Sequence, residues 1–192
     1  MNKDRLGAFM DAVIAIVMTI LVLELAKPTG PTLAAFWHLR ISFAAYALSF
    51  LWLAAMWTSL HNAWHVIEEI SNRTTWLSMG LLFFSSLFPY ATSLVGVYFT
   101  SRAVQGFYGM VVIATTVMML LIYGSLAKDD KRESTVRYMK TVNQYLTVDL
   151  GIKIAGTVAG ILFWPPLVSI GVLCAAVFIM VARNGCSARK ES

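Results

Sequence analysis

Few residues in this chain could do more than pack. Asp11 is the first of them: a carboxylate at the start of an apolar run, with Ala12 to Leu23 free of charge, Pro and Gly. A charge placed well inside a bilayer costs about 2.5–3.5 kcal/mol even on lenient insertion scales. Asp11 therefore needs a partner, a water-filled surface or a position near the headgroups. Asp149 and Lys153 stand four residues apart in a second apolar stretch, with the acid N-terminal, the favourable order for a helical pair. An ion site there is one reading and a plain structural pair is the other. Beyond these groups the chemistry runs out. The serines lack a paired His and carboxylate, and no Gly-rich loop could cradle phosphate. No His/Cys/carboxylate set has metal-ligand spacing, and Cys174 and Cys186 suggest no disulfide framework. The expectation is a protein that is not an enzyme and carries no cofactor or metal.

The elements that must position these residues are membrane helices. Of the 192 residues, 58% are hydrophobic and 13% charged, where a soluble domain would carry about 25% charged. This predicts an all-α integral membrane protein, one domain over residues 1–192. Six apolar segments are expected to span, at about 8–26, 41–60, 76–99, 104–127, 146–163 and 167–182. Breaker runs separate them, among them Lys27-Pro28-Thr29-Gly30-Pro31 and Trp164-Pro165-Pro166. Residues 128–140 read as a solvated turn or helix extension. The first segment is too long, and lacks a small-residue cleavage site, for a cleavable signal peptide.

Lysine and arginine set the orientation. With the N-terminus inside, Lys3, Arg5, Arg73, Lys128, Lys131, Arg132, Arg137, Lys140, Arg183, Arg189 and Lys190 fall on the inner side. Lys27, Arg40 and Arg102 fall outside. Eleven against three puts both termini in the cytoplasm of a cell (plasma or inner) membrane protein. The net charge of +5 is then a topology signal and implies no nucleic-acid partner.

At 100° per residue, Phe9, Ile16 and Leu23 form one bulky apolar stripe of the first helix, with Val13 and Ile20 beside them. Asp11, Ala15, Met18 and Val22 lie opposite. The stripe either enters the core or meets a different surface; periodicity alone leaves both open. Pro89 should kink the third segment, with Ser85 or Ser86 satisfying the freed carbonyl. Gly156-x-x-x-Gly160 permits close helix contact, expected within one subunit. Ser93-Leu-Val95-Gly96-Val-Tyr98 is no potassium filter: it has one Gly too few and no re-entrant pore helix before it.

The run Arg5-x-x-x-Phe9-Met10-Asp11-Ala-Val-x-Ala-Ile16-x-x-Thr19-x-Leu-x-Leu23-Glu24 resembles the first-helix signature of the transmembrane protein 175 family of potassium channels, written R-x-x-x-F-S-D. Met10 stands where the family has Ser. The second segment ends Trp57-Thr-Ser-Leu60-His61, similar to a family Trp followed by a His pair, with Leu60 in place of the first His. Ser78 stands where the family has Asn, so a hydroxyl exchanged between positions 10 and 78 of one polar cluster is expected. Leu87-Phe88-Pro89-Tyr90-Ala-Thr92 is also similar to the family's third helix. The resemblance covers roughly the first 110 residues. Given the orientation, Asp11 could meet the Trp57 indole or His61; the alternative is that His61 is a solvated interfacial residue.

The resemblance implies a potassium-selective cation channel with six transmembrane helices per subunit, no re-entrant pore loop, and four identical subunits around the first helix. It implies a constriction lined by Ile16, Thr19, Ile20 and Leu23, and a polar network of Arg5, Phe9, Asp11, Trp57, His61 and Ser78. Its partners would be further copies of itself, the lipid bilayer, and permeant potassium and other monovalent cations. A secondary transporter or a non-channel membrane scaffold remain the other classes. Against a transporter, no internal repeat or broken first helix is visible in the sequence.

Overall fold

The computed structural model describes residues 3–188, with side chains described to Ile179. Every regular element among them is helical: α1 (Lys3–Leu23), α2 (Leu33–His38), α3 (Arg40–Val66), α4 (Asn72–Ser86), α5 (Phe88–Val97), α6 (Arg102–Asp129), α7 (Glu133–Leu162) and α8 (Leu167–Ala188). Five stretches are long and apolar enough to cross a membrane: α1, α3, α4 with α5, α6 and α7. In α8 the apolar part is the shorter Leu167–Ile179.

The helix boundaries follow local chemistry. Thr32 caps α2 by accepting the Ala35 amide at 3.2 Å, and Ser71 caps α4 by accepting the Thr74 amide at 3.2 Å. Pro89 cannot donate to a carbonyl one turn back, so the third span breaks at Leu87 into α4 and α5. The loose carbonyls of Phe84 and Ser85 both accept from the Leu87 amide. The expected serine rescue is not what happens. The Ser86 hydroxyl donates to Phe83 at 2.7 Å, and that of Ser85 points at the Met56 sulfur, 3.9 Å away.

Two spans are longer than hydropathy predicts. Six residues beyond the expected end, α3 still continues, so His61 lies within a helix rather than at its terminus. The 30-residue α7 begins at Glu133, inside the expected linker. Hydropathy ends where side chains become polar, but helices do not. The segment keeps helical support from the Arg137–Glu133 pair at i,i+4, 3.0 Å apart.

One core runs through the bundle, formed largely by α1, α3, α4, α5 and α6 with contributions from α7 and α8. The final pair packs tightly: Gly156 on α7 meets Gly171 on α8, where an added Cβ would lie 2.9 Å from the Gly171 Cα. Gly160 faces Val168 in the same way, so the small-residue stripe of α7 serves contact within the chain. Several buried hydroxyls are paired across the spans, as hydrocarbon favours. Ser49 bonds Tyr108 at 3.1 Å and accepts from Thr92 at 2.7 Å; Ser59 bonds Tyr123 at 2.8 Å.

At the end of the bundle that carries the basic residues, Arg132 ties the α6–α7 turn to the α3–α4 loop. It pairs with Glu68 at 3.0 Å and Asp130 at 2.6 Å, and donates to the Val66 carbonyl. The Arg132 side chain and amide both bond the Asp130 carboxylate and hold its pKa down at about 2. Lys3 joins the same loop, donating to the Ile67 carbonyl at 2.6 Å, so the start of α1 is anchored there.

A candidate permeation face and its polar anchor

The helix α1 has two apolar faces, and only one is used within the chain. Leu6, Met10, Ile14, Val17 and Leu21 are each at most 4% exposed and face the core. Phe9, Ile16, Ile20 and Leu23 are 50%, 57%, 37% and 78% exposed. Of the two readings left open for this bulky stripe, burial in the chain's own core is not the one seen. The core has taken the neighbouring residues instead, because α3, α4 and α5 all pack on that side. The expected opposite face is also not a clean one, since Ala15 and Val22 are exposed.

A second feature runs beside the stripe. Ala8, Ala12, Ala15 and Thr19, at i, i+4, i+7 and i+11, are all exposed. Small side chains at this spacing let another helix come close. The Thr19 hydroxyl donates to the Ile16 carbonyl at 2.8 Å, which leaves its oxygen lone pairs on the open face.

Asp11 is the polar anchor of α1. The Trp57 indole N–H donates to its carboxylate at 2.7 Å, joining α1 to α3. Of the two partners considered for Asp11, Trp57 is the one bonded. His61 comes next: its ring stacks on Trp57, with centroids 5.1 Å apart and planes at 30°. Charge-assisted bonds of this kind are the stronger ones. They fix the rotation of α1 and so decide which residues face outward.

The remaining motif residues lie apart from this anchor. Arg5 is exposed in the first turns of α1, and Phe9 belongs to the open stripe. Ser78 is buried on α4 and donates to the Thr74 carbonyl at 2.8 Å, one turn back, rather than across to Asp11. Met10 is buried in the core face. Two groups were missed by sequence reasoning. His65 places its Nε2 3.0 Å from that of His61; the His-x-x-x-His spacing was the available signal. Thr116 and Trp52 complete the surroundings of Lys153, which no local spacing could reveal. Lys153 pairs with Asp149, donates to the Thr116 hydroxyl at 2.9 Å, and lies 4.7 Å from the Trp52 ring centroid.

An Asp11→Ala variant tests the anchor. Leaving a fully buried donor unpaired costs about 1–3 kcal/mol, and the half-buried Trp57 N–H would lose part of that. The expected result is reduced assembled yield on size exclusion with little change in ion preference. A well-assembled variant with altered reversal potentials would place Asp11 in the ion path instead.

Comparison with known proteins finds similar chains among potassium channels. The family described as "Endosomal/lysosomal potassium channel TMEM175" matches residues 5–89, the span from the Arg5 motif to Pro89. A potassium channel of Chryseobacterium sp. (strain P1-3) is 29% identical over 137 residues, covering 71% of each chain. A potassium channel of Streptomyces collinus is 26% identical over 137 residues, covering 67% of this chain and 66% of its own. The crystal structure of a lysosomal potassium-selective channel TMEM175 homolog from Chamaesiphon minutus superposes with a TM-score of 0.81 at 20% identity, over 94% of this chain and 97% of that one. That last likeness is one of fold.

Proposed function

We propose that this chain is a member of the TMEM175 family of potassium channels, to which it is similar, and that it assembles as a homotetramer and conducts potassium along an axis lined by α1. The observation that carries the reading is the exposed stripe of Phe9, Ile16, Ile20 and Leu23 on a helix whose other face is fully packed. The adjoining row Ala8, Ala12, Ala15 and Thr19 suits close approach of neighbouring copies of α1. Asp11, held by Trp57, sets the rotation that turns the stripe inward.

In this reading the four copies of Ile16, with Thr19, Ile20 and Leu23 around them, form a carbon-walled constriction. An ion passes only by shedding water, and apolar constrictions are a recognised gating device. Potassium, being larger, holds its water less tightly than sodium. Carbon offers no replacement ligands, so the more easily dehydrated ion passes better, and the Thr19 oxygen supplies some compensation. Residues 1–192 form one six-helix unit, with the apolar part of α8 as the sixth span and both termini in the cytoplasm. The membrane is the cell's plasma or inner membrane. No bound cofactor takes part; potassium is the permeant ion.

Purified protein in potassium-loaded liposomes tests the function. Ohmic, electrogenic flux without a counter-substrate is expected. Saturable exchange would make the chain a transporter, and no flux from intact tetramers would leave a scaffold. A membrane-impermeant thiol reagent outside intact cells should leave Cys186 unlabelled, since that residue follows the sixth span on the basic side. A dimeric mass in mild detergent would remove the four-fold pore.

A further inference from the structure

The geometry points to a divalent transition-metal site formed by His61 and His65, linked to α1 through Trp57. The two residues are one turn apart on α3, and their Nε2 atoms lie 3.0 Å from each other. The rings meet edge to face, with centroids 4.5 Å apart and planes at 77°. In the neutral pair one ring donates and the other accepts, so a single proton occupies the gap between two converging nitrogens. A metal ion can replace that proton. Metal–imidazole bonds of about 2.1 Å put two nitrogens about 3.0 Å apart at a right angle and about 3.4 Å apart at the tetrahedral angle. The pair is therefore already at the spacing of two adjacent positions of an octahedral ion. Tetrahedral coordination needs only a few tenths of an ångström of opening.

The surroundings fit a two-ligand site completed by water. His65 is exposed and His61 half-buried, so solvent reaches the open side. No group of three or more His, Cys, Asp or Glu that could hold a metal exists among the described residues, so the protein supplies only the two imidazoles. Such a donor set selects nickel, copper, cobalt or zinc over magnesium and calcium, which prefer oxygen.

The site is not isolated from the candidate ion path. His61 stacks on Trp57, and Trp57 donates to Asp11 on α1 at 2.7 Å. A metal that fixes the His61 ring stabilises the α1–α3 arrangement described here against any other. Ion flux that needs α1 to shift against α3 is then slowed. This coupling rests on the channel reading above, whereas the metal site itself does not.

Nickel is the probe. Equilibrium dialysis of the detergent-solubilised full chain should find one saturable Ni²⁺ per subunit that magnesium does not displace. His65→Ala should weaken it by about tenfold or more, since even removing an outer support of a metal ligand costs about 10–100-fold. His65 is exposed, so that variant should keep the parent's size-exclusion profile; His61→Ala should lose the same site. Ni²⁺ on the cytoplasmic face should reduce potassium flux in the parent and not in His65→Ala. Parent protein that binds no Ni²⁺ at 100-fold excess over protein, or equal binding after His65→Ala, overturns the site. His65-dependent binding with flux unaltered overturns the coupling. His65-dependent binding to a protein with no potassium flux keeps the site and removes the channel reading instead.

Discussion

An Ile16→Asn variant is expected to carry larger currents and to discriminate less between potassium and sodium. Ile16 is 57% exposed on the open stripe of α1. Four copies would place amide oxygens and room for retained water where the parent has only carbon. A hydrogen bond involving a charged group is worth about 1.5–3 kcal/mol, and about 1.4 kcal/mol is a tenfold change. Sodium, which gives up water less readily, gains more from the new oxygens. The potassium-to-sodium ratio should therefore fall by about tenfold, as read from reversal potentials in mixed solutions. Ile14 is the control. It is two residues away, about 160° round the helix, and 1% exposed in the core. Ile14→Asn buries an amide among apolar neighbours and should lower the yield of folded protein without selectively admitting sodium. If the ratio survives Ile16→Asn but fails with a change at Ile20 or Leu23, the constriction lies further along the stripe. If no stripe position alters the ratio, α1 does not line the path.

Breaking the Asp149–Lys153 pair is expected to be the most damaging single change away from α1. Both side chains are 1% exposed, where α7 packs against α6 and Trp52 of α3 reaches Lys153. One carboxylate oxygen, Asp149 Oδ1, has no hydrogen-bond partner among the described residues. The residues border a cavity of about 20 Å³ with Trp52, Ser59 and Met119 in its wall, room for a water molecule to serve that oxygen. Removing one member of a buried pair strands the other charge and typically costs about 3–5 kcal/mol, enough to unfold a marginal protein. Lys153→Met or Asp149→Leu alone should thus abolish folded protein. The double variant removes both charges and, on the same physics, should recover much of the yield, because a buried pair is often no better than apolar residues of its size. Thermal stability in detergent checks this. Single variants that remain as stable as the parent would mean that water reaches the pair and that its burial is lost in the membrane.

Several properties were already legible along the chain. Uninterrupted apolar runs separated by Pro, Gly and charge located the main spans, because hydrocarbon tolerates little else. The Pro89 break was legible too, since a missing N–H is a local fact. So was the distinction of Asp11 within its helix, because an unshielded charge there needs a partner, and the Arg5 motif carried the resemblance to the family whose model matches residues 5–89.

Other properties depended on packing. The true lengths of α3 and α7 exceed the apolar runs, because polar side chains end a hydrophobic segment without ending its hydrogen-bonded ladder. Periodicity marked one bulky apolar stripe on α1, through Phe9, Ile16 and Leu23, and left open whether it entered the core; Met10, Ile14 and Val17 are buried instead. That choice was made by where α3, α4 and α5 stand and by the Trp57–Asp11 bond that fixes the rotation of α1. Asp149 and Lys153 announced each other through their spacing, yet Thr116 and Trp52 came from helices distant in sequence. Sequence determined which segments must enter the membrane and which charges would need partners. Tertiary structure decided which face each helix hides, because burial is settled by the neighbours a side chain meets and not by its own hydrophobicity.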